Sequence, residues 1–236
     1  MSQAKFYPEP TEEELNSCQA ALRVCQQFEM KKKLEIATPC WLRTKFQVSM
    51  QDALMKKSFL LELDVWMSIT ISKFNSEFMD LAKVVSNIFS PTVLSIVASV
   101  YTIYALFKKK WDKAFLVFSS FAGGLIINGI LKAMIGRERP IDALIHYSDM
   151  SFPSGHALAS TIFFSLLVFL FTKKITNNYL REIFVVVSVL LVVSVCISRI
   201  YLNVHWFSDV LSGIALGLFW STLMMLFARF FKEDLK

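Results

Sequence analysis

Five long apolar runs, separated by short polar turns, dominate the chain from residue 91 onward. They fall at roughly 91–107, 114–135, 156–172, 183–200 and 206–231. Each has the length and composition of a helix that crosses about 30 Å of hydrocarbon. One such run alone could be a buried helix of a water-soluble protein, but five in succession argue against that. The pattern therefore predicts an all-α, multi-pass transmembrane helix bundle of five or six spans.

The first ninety residues read differently. Residues 1–58 are mixed and charged, and Thr11-Glu12-Glu13-Glu14 has the makings of a helix N-terminus. Leu15, Ala21, Leu22, Val24, Cys25 and Phe28 then place apolar groups on one side of a modest amphipathic helix over 14–35. No cleavable signal peptide is visible, because this stretch is polar. Residues 59–88 are apolar but interrupted by Glu62, Asp64, Lys73, Glu77, Asp80 and Lys83. A carboxylate at a bilayer centre costs about 2.5–3.5 kcal/mol. The stretch is accordingly expected to form one or two helices along the interface rather than a span. The chain thus divides into a polar amphipathic segment, 1–58, and a membrane domain, 59–236.

Composition and charge refine this picture. The 236 residues are 55% hydrophobic, more than a soluble domain of this size needs. A net charge of +6 could suggest nucleic acid, but the basic residues form no single patch and flank the apolar runs instead. No nucleic-acid partner is expected. Lys108, Lys109, Lys110 and Lys113 lie in one turn, Lys173, Lys174 and Arg181 in another, and Lys232 and Lys236 in the tail. With five spans these regions share one side, cytoplasmic by the positive-inside rule. Cys18, Cys25, Cys40 and Cys196 lack the spacing of a zinc or redox motif.

The opposite connections carry the candidate chemistry. In the first, Lys132 ends a helix that Gly136 and Pro140 break, so Lys132 and Arg139 can converge on one anion. In the second, Pro153-Ser154-Gly155-His156 opens the next run. Ser154 is placed to cap that helix, and Gly155 lets an anion approach its free N–H groups. His156 is placed to protonate a leaving oxygen. In the third, Arg199 precedes His205 by six residues and Asp209 follows it by four. Arg199 can grip phosphate oxygens in a bidentate fork. At i and i+4 on one helix face, Asp209 can hold one ring nitrogen of His205 and leave the other free to attack. An ionisable residue one turn inside a membrane helix demands a partner, and His205 is the candidate at helical reach.

The ordered set Lys-x6-Arg-Pro, Pro-Ser-Gly-His and Ser-Arg-x5-His-x3-Asp resembles the signature of the type 2 phosphatidic acid phosphatase superfamily, over roughly residues 59–231. The membrane runs are similar to its lipid phosphate phosphatase branch rather than to its soluble haloperoxidase and acid phosphatase members. The resemblance implies that Lys132, Arg139, Ser154, Gly155 and Arg199 bind phosphate and that His156 protonates the leaving alkoxide. It also implies that His205, paired with Asp209, attacks phosphorus to give a phosphohistidine that water hydrolyses, without a metal or other cofactor. Membrane members usually have six spans, and here the polar 1–58 segment stands in place of the first.

The expected activity is hydrolysis of a lipid phosphate or diphosphate, of prenyl diphosphate (undecaprenyl diphosphate among them), phosphatidylglycerophosphate, phosphatidate or lipid A type. The expected setting is a bacterial cytoplasmic membrane, with the site facing outward. A lipid phosphotransferase using the same phosphohistidine is the alternative. A non-enzymatic scaffold is disfavoured by the complete set of basic and His residues. A transporter is disfavoured because every informative charge sits at one end of the helices.

Overall fold

Helices form where the apolar runs predict them. A computed structural model describes residues 59–72, 78–140, 143, 145 and 149–233, so the amphipathic reading of 14–35 and the rest of 1–58 lie outside the described residues. Among the described residues there are seven α-helices and no strand. They are α1 (Phe59–Ser72), α2 (Met79–Ile88), α3 (Pro91–Phe107), α4 (Trp111–Ile135), α5 (Gly155–Phe171), α6 (Asn178–Tyr201) and α7 (Phe207–Glu233).

The helix boundaries follow local chemistry. Ser90 caps α3 by accepting the Val93 N–H, with Pro91 at the first helical position, where its missing N–H costs nothing. Asn177 caps α6 by accepting from Tyr179 and Leu180. Gly136 ends α4 in the left-handed region, at φ 62°, where a side chain would be strained. Within the spans, hydroxyls bond back to the preceding turn, as Ser95 does to the Pro91 carbonyl and Thr161 to the Ala157 carbonyl. No polar hydrogen is thereby left facing hydrocarbon at those positions.

Among the described residues, five stretches are long and apolar enough to cross a membrane: Met79–Phe107, Trp111–Ile135, Gly155–Lys174, Asn178–Tyr201 and Phe207–Phe230. The first takes in both α2 and α3, which are separate helices with an extended Ser90 (ψ 149°) between them, and the sequence-predicted span 91–107 coincides with α3. Asp80 and Lys83 pair at 3.7 Å near the exposed start of α2, and the buried face presents Ala82 and Ser86 to α6. The described part of α1, 14 residues, is about 21 Å long.

Helix α5 is the centre of the bundle and packs against α3, α4, α6 and α7. Ala157, Leu158, Ala159, Ser160, Thr161 and Ile162 are all buried in succession. Large apolar side chains such as Ile96, Phe118, Ile126, Leu190 and Phe219 are instead exposed on the outside. That is the inside-out pattern of helices solvated by lipid, where close packing of small residues drives association. The tightest seam joins α5 to α7 at Gly213 and Gly217. A Cβ on Gly213 would lie 2.6 Å from the Ser154 carbonyl oxygen, and one on Gly217 would lie 2.8 Å from Cβ of Thr161.

The up-and-down order sends the end of α4, the start of α5, the end of α6 and the start of α7 to one end of the bundle. The lysine-rich turns after α3 and α5 lie at the other. This seam is therefore expected to control the alignment of the polar end. Gly213→Ala should lower the detergent-solubilised melting temperature by several degrees. Gly129→Ala, where a Cβ meets nothing within 4 Å, should be neutral or stabilise by up to about 1 kcal/mol. Equal melting temperatures for the two variants would refute the seam's importance.

Candidate active site

Four helix ends and two connections converge on a cavity of about 200 Å³. Its lining includes Leu125, Asn128 and Lys132 from α4, Gly155 and His156 from α5, and Arg199 from α6. Arg139, Asp149 and His205 from the connections and Pro91 at the start of α3 complete it. Six of the eight sequence-predicted site residues thus meet at one surface. Ser154 and Asp209 stand behind it, both fully buried.

His205 lies in the turn before α7, not on the helix, so it and Asp209 face one another across the helix start rather than along one helical face. Its Nδ1 is 3.6 Å from Asp209 Oδ2, an electrostatic contact longer than a hydrogen bond. Its Nε2 is 3.2 Å from Arg139 Nη1. A guanidinium can only donate, so the Nε2 lone pair accepts and the ring proton belongs on Nδ1, toward Asp209. Burial above all, followed by the charges of Arg139 and Arg199, pulls the His205 pKa from 6.5 to about 4, against the opposing influence of Asp209. The ring is therefore neutral at physiological pH.

Asp209 does not depend on His205 alone for compensation, as its sequence position suggested. In the first turn of α7, its Oδ2 accepts the Trp206 N–H at 2.9 Å, the reciprocal half of a capping box. Its Oδ1 accepts from Arg137 Nη1 at 2.7 Å. Arg137 in turn bonds Asp64 of α1 at 2.7 Å through Nη2, and its ring neighbour is Trp206 at 5.3 Å. Trp206 sits at the N-cap of α7 but offers no side-chain acceptor. Asp64 supplies one from another helix, taking the Ser208 N–H at 2.8 Å and the Ser208 hydroxyl at 2.6 Å.

The cations are held in place by neighbours. Arg199, fully buried, donates to Ser86 of α2. Arg139 donates to the Val204 carbonyl at 2.6 Å, next to His205. Lys132 and Arg139 both pair with the Asp149 carboxylate. Partial burial acts to raise the Asp149 pKa, but bonds and charge attraction from Lys132 and Arg139 outweigh it and hold the carboxyl below its ordinary range. Ser154 occupies the N-cap of α5 without capping it: its Oγ makes no cap bond, while its N–H donates to the Asp209 carbonyl at 3.0 Å. The α5 N-terminal N–H groups are thus not consumed by that hydroxyl.

Four residues of this end escaped sequence reasoning: Asp64, Arg137, Asn128 and Asp149. Two left a signal. Asp64 is a carboxylate in an apolar stretch, which demands a partner, and Asn128 precedes Lys132 by four, which sets both on one face of α4. Asn128 is nearly buried, and its Oδ1 has no hydrogen-bond partner among the described residues.

Residues 113–233 match the model of the PAP2 superfamily, and the chain belongs to that family. Among its relatives is phosphatidylglycerophosphatase B of Bacillus subtilis (strain 168), 33% identical over 133 residues, covering 55% of this chain and 63% of the relative. Another is lipid A 1-phosphatase of Rhizobium johnstonii, 31% identical over 135 residues, covering 50% of this chain and 49% of the relative. The chain thus spans about half to just under two thirds of the length of these relatives. Its fold is similar to the crystal structure of a transmembrane PAP2-type phosphatidylglycerolphosphate phosphatase from Bacillus subtilis. The TM-score is 0.63 at 24% identity, covering 82% of this chain and 95% of that one. The all-helical bundle is that of a multi-pass membrane protein.

The bridge from Asp64 through Arg137 to Asp209 generates its own test. Removing one member of a buried charge set leaves the others uncompensated and costs about 3–5 kcal/mol, toward the lower figure here because Arg137 is partly exposed. Asp64→Ala should therefore lower the melting temperature clearly, while Glu62→Ala on the exposed face of α1 should not. Indistinguishable melting curves would show that the bridge contributes nothing.

Proposed function

We propose that this protein is an integral membrane phosphatase that hydrolyses a lipid phosphate or diphosphate through a phosphohistidine on His205. The observation that carries this reading is His205 Nε2, 3.2 Å from Arg139 Nη1, set in a cavity with Lys132, Arg139 and Arg199. A neutral imidazole amid fixed positive charge is a nucleophile suited to a phosphoryl group. The related lipid phosphatases and the placement of the cavity at the end of apolar helices support a lipid substrate.

In this mechanism the three cations and the N–H groups at the start of α5 hold the phosphoryl oxygens. A bound phosphoryl group displaces the Arg139 contact from Nε2. The nitrogen then forms a bond to phosphorus as the bond from phosphorus to the lipid oxygen breaks. His156 gives its proton to the departing alkoxide. Asp209, fixed by Arg137 and Trp206, stabilises the charge that develops on the His205 ring. Water next attacks phosphorus, its proton passes to His156, and inorganic phosphate leaves with His205 restored. Cations placed where charge develops supply the electrostatic stabilisation. The lysine-rich turns at the far end favour a site on the outer face of a bacterial cytoplasmic membrane.

Purified protein should release inorganic phosphate from a lipid phosphate in detergent micelles, and His205→Ala should reduce this at least about a thousandfold, as loss of a nucleophile does. Full activity in that variant would end the nucleophile assignment. The depressed pKa of His205 also fixes the acid limb of kcat/KM. Because the ring binds its proton only near pH 4, the rate should hold well below pH 6.5 before falling. A limb centred at 6.5 would place His205 in ordinary solvent-like surroundings.

A further inference from the structure

Asp149 lines the cavity and bonds to two of its three cations, Lys132 and Arg139. One carboxylate oxygen accepts from Arg139 Nη2 at 2.6 Å, and the other is bonded to Lys132 Nζ. The backbone around it is held as well. The Asp149 carbonyl accepts from Arg139 Nε at 3.0 Å, and that of Met150 from Lys132 Nζ at 2.8 Å. About half of the Asp149 side chain is exposed, whereas those of Lys132 and Arg139 are largely covered. The carboxylate therefore lies on the outer side of the two cations, with His205 on the inner side of Arg139.

We propose that Asp149 is a specificity-determining residue that makes this site select lipid monophosphates over lipid diphosphates. The inference rests on the phosphatase reading above and names the substrate class of that same site. The fixed charges lining the cavity are three cations and one carboxylate, a surplus of two positive charges. A monophosphate ester carries about two negative charges near neutral pH, which this surplus matches. A diphosphate adds roughly one more negative charge and a second phosphoryl group, which must share a small cavity with the Asp149 carboxylate. Like charges brought together at an interface cost binding and serve to reject the wrong partner. The carboxylate is held ionised by the same two cations, so the repulsion persists across the physiological pH range.

The test compares the monophosphate and the diphosphate of one prenyl alcohol, in the same neutral detergent micelles, with wild type, Asp149→Asn, Asp149→Glu and His205→Ala. Wild type should favour the monophosphate in kcat/KM. Asp149→Asn should shift the ratio toward the diphosphate by roughly four- to twentyfold, the size expected for one unit charge near another at a solvated mouth. Asp149→Glu, which keeps the charge, should stay near the wild-type ratio. A residue that only braces the connection would move both substrates together. An unchanged ratio in Asp149→Asn, or a wild type that prefers the diphosphate, would overturn the proposal while leaving the phosphatase reading intact. Wild type no more active than His205→Ala on either substrate would remove the phosphatase reading and this proposal with it.

Discussion

The polar end of the molecule depends on one guanidinium. Arg137 joins Asp64 on α1 to Asp209 on α7, and both carboxylates are out of contact with water. It is the cation that the two acids share, and each acid has a second task beside it. Asp64 caps the start of α7 through the Ser208 N–H, and Asp209 closes the same turn through the Trp206 N–H. The peptide that carries His205 leads directly into this doubly tied turn. Helix α1 therefore has a structural task at the site: it anchors the turn from which the imidazole projects.

Around this anchor, positive charge is arranged so that no cation is wasted on another and each has an acceptor nearby. Arg199 is held by Ser86, Arg139 by the Val204 carbonyl and Asp149, and Lys132 by Asp149 and the Met150 carbonyl. Desolvation of the buried ring, reinforced by the guanidinium groups of Arg139 and Arg199, lowers the basicity of His205. In the proposed mechanism a bound phosphoryl anion would reverse that balance, because it would neutralise the same cations that depress the ring's basicity.

Packing below the cavity turns this local order into a rigid one. Helix α5 can bring the backbone of Ser154, Gly155 and His156 against α7 because Gly213 and Gly217 offer no side chain there. In lipid, where apolar surface gains little by leaving its surroundings, such close contact is the main source of helix cohesion. The Ser154 N–H donating to the Asp209 carbonyl ties this seam to the charged bridge. Helix packing and site geometry are therefore joined at the same pair of residues.

Much of this was legible in the chain alone. Apolar runs of spanning length, broken by glycine, proline and charge, define an all-helical membrane bundle because the bilayer leaves few other ways to satisfy a backbone. The same pattern located Lys132, Arg139, Gly155, His156, Arg199 and His205 at one end, since successive antiparallel spans must alternate. What could not be read was which charges neutralise one another. Spacing paired Asp209 with His205, and folding keeps that contact while adding Arg137 and the α7 turn. Composition placed Asp64 in an interfacial stretch, whereas folding buries its side chain against Arg137. Periodicity reports the neighbours within one helix and the solvent that each face prefers. Partners from residues 64, 137, 149 and 209 are chosen by how separate helices come together, a three-dimensional outcome that no local spacing encodes.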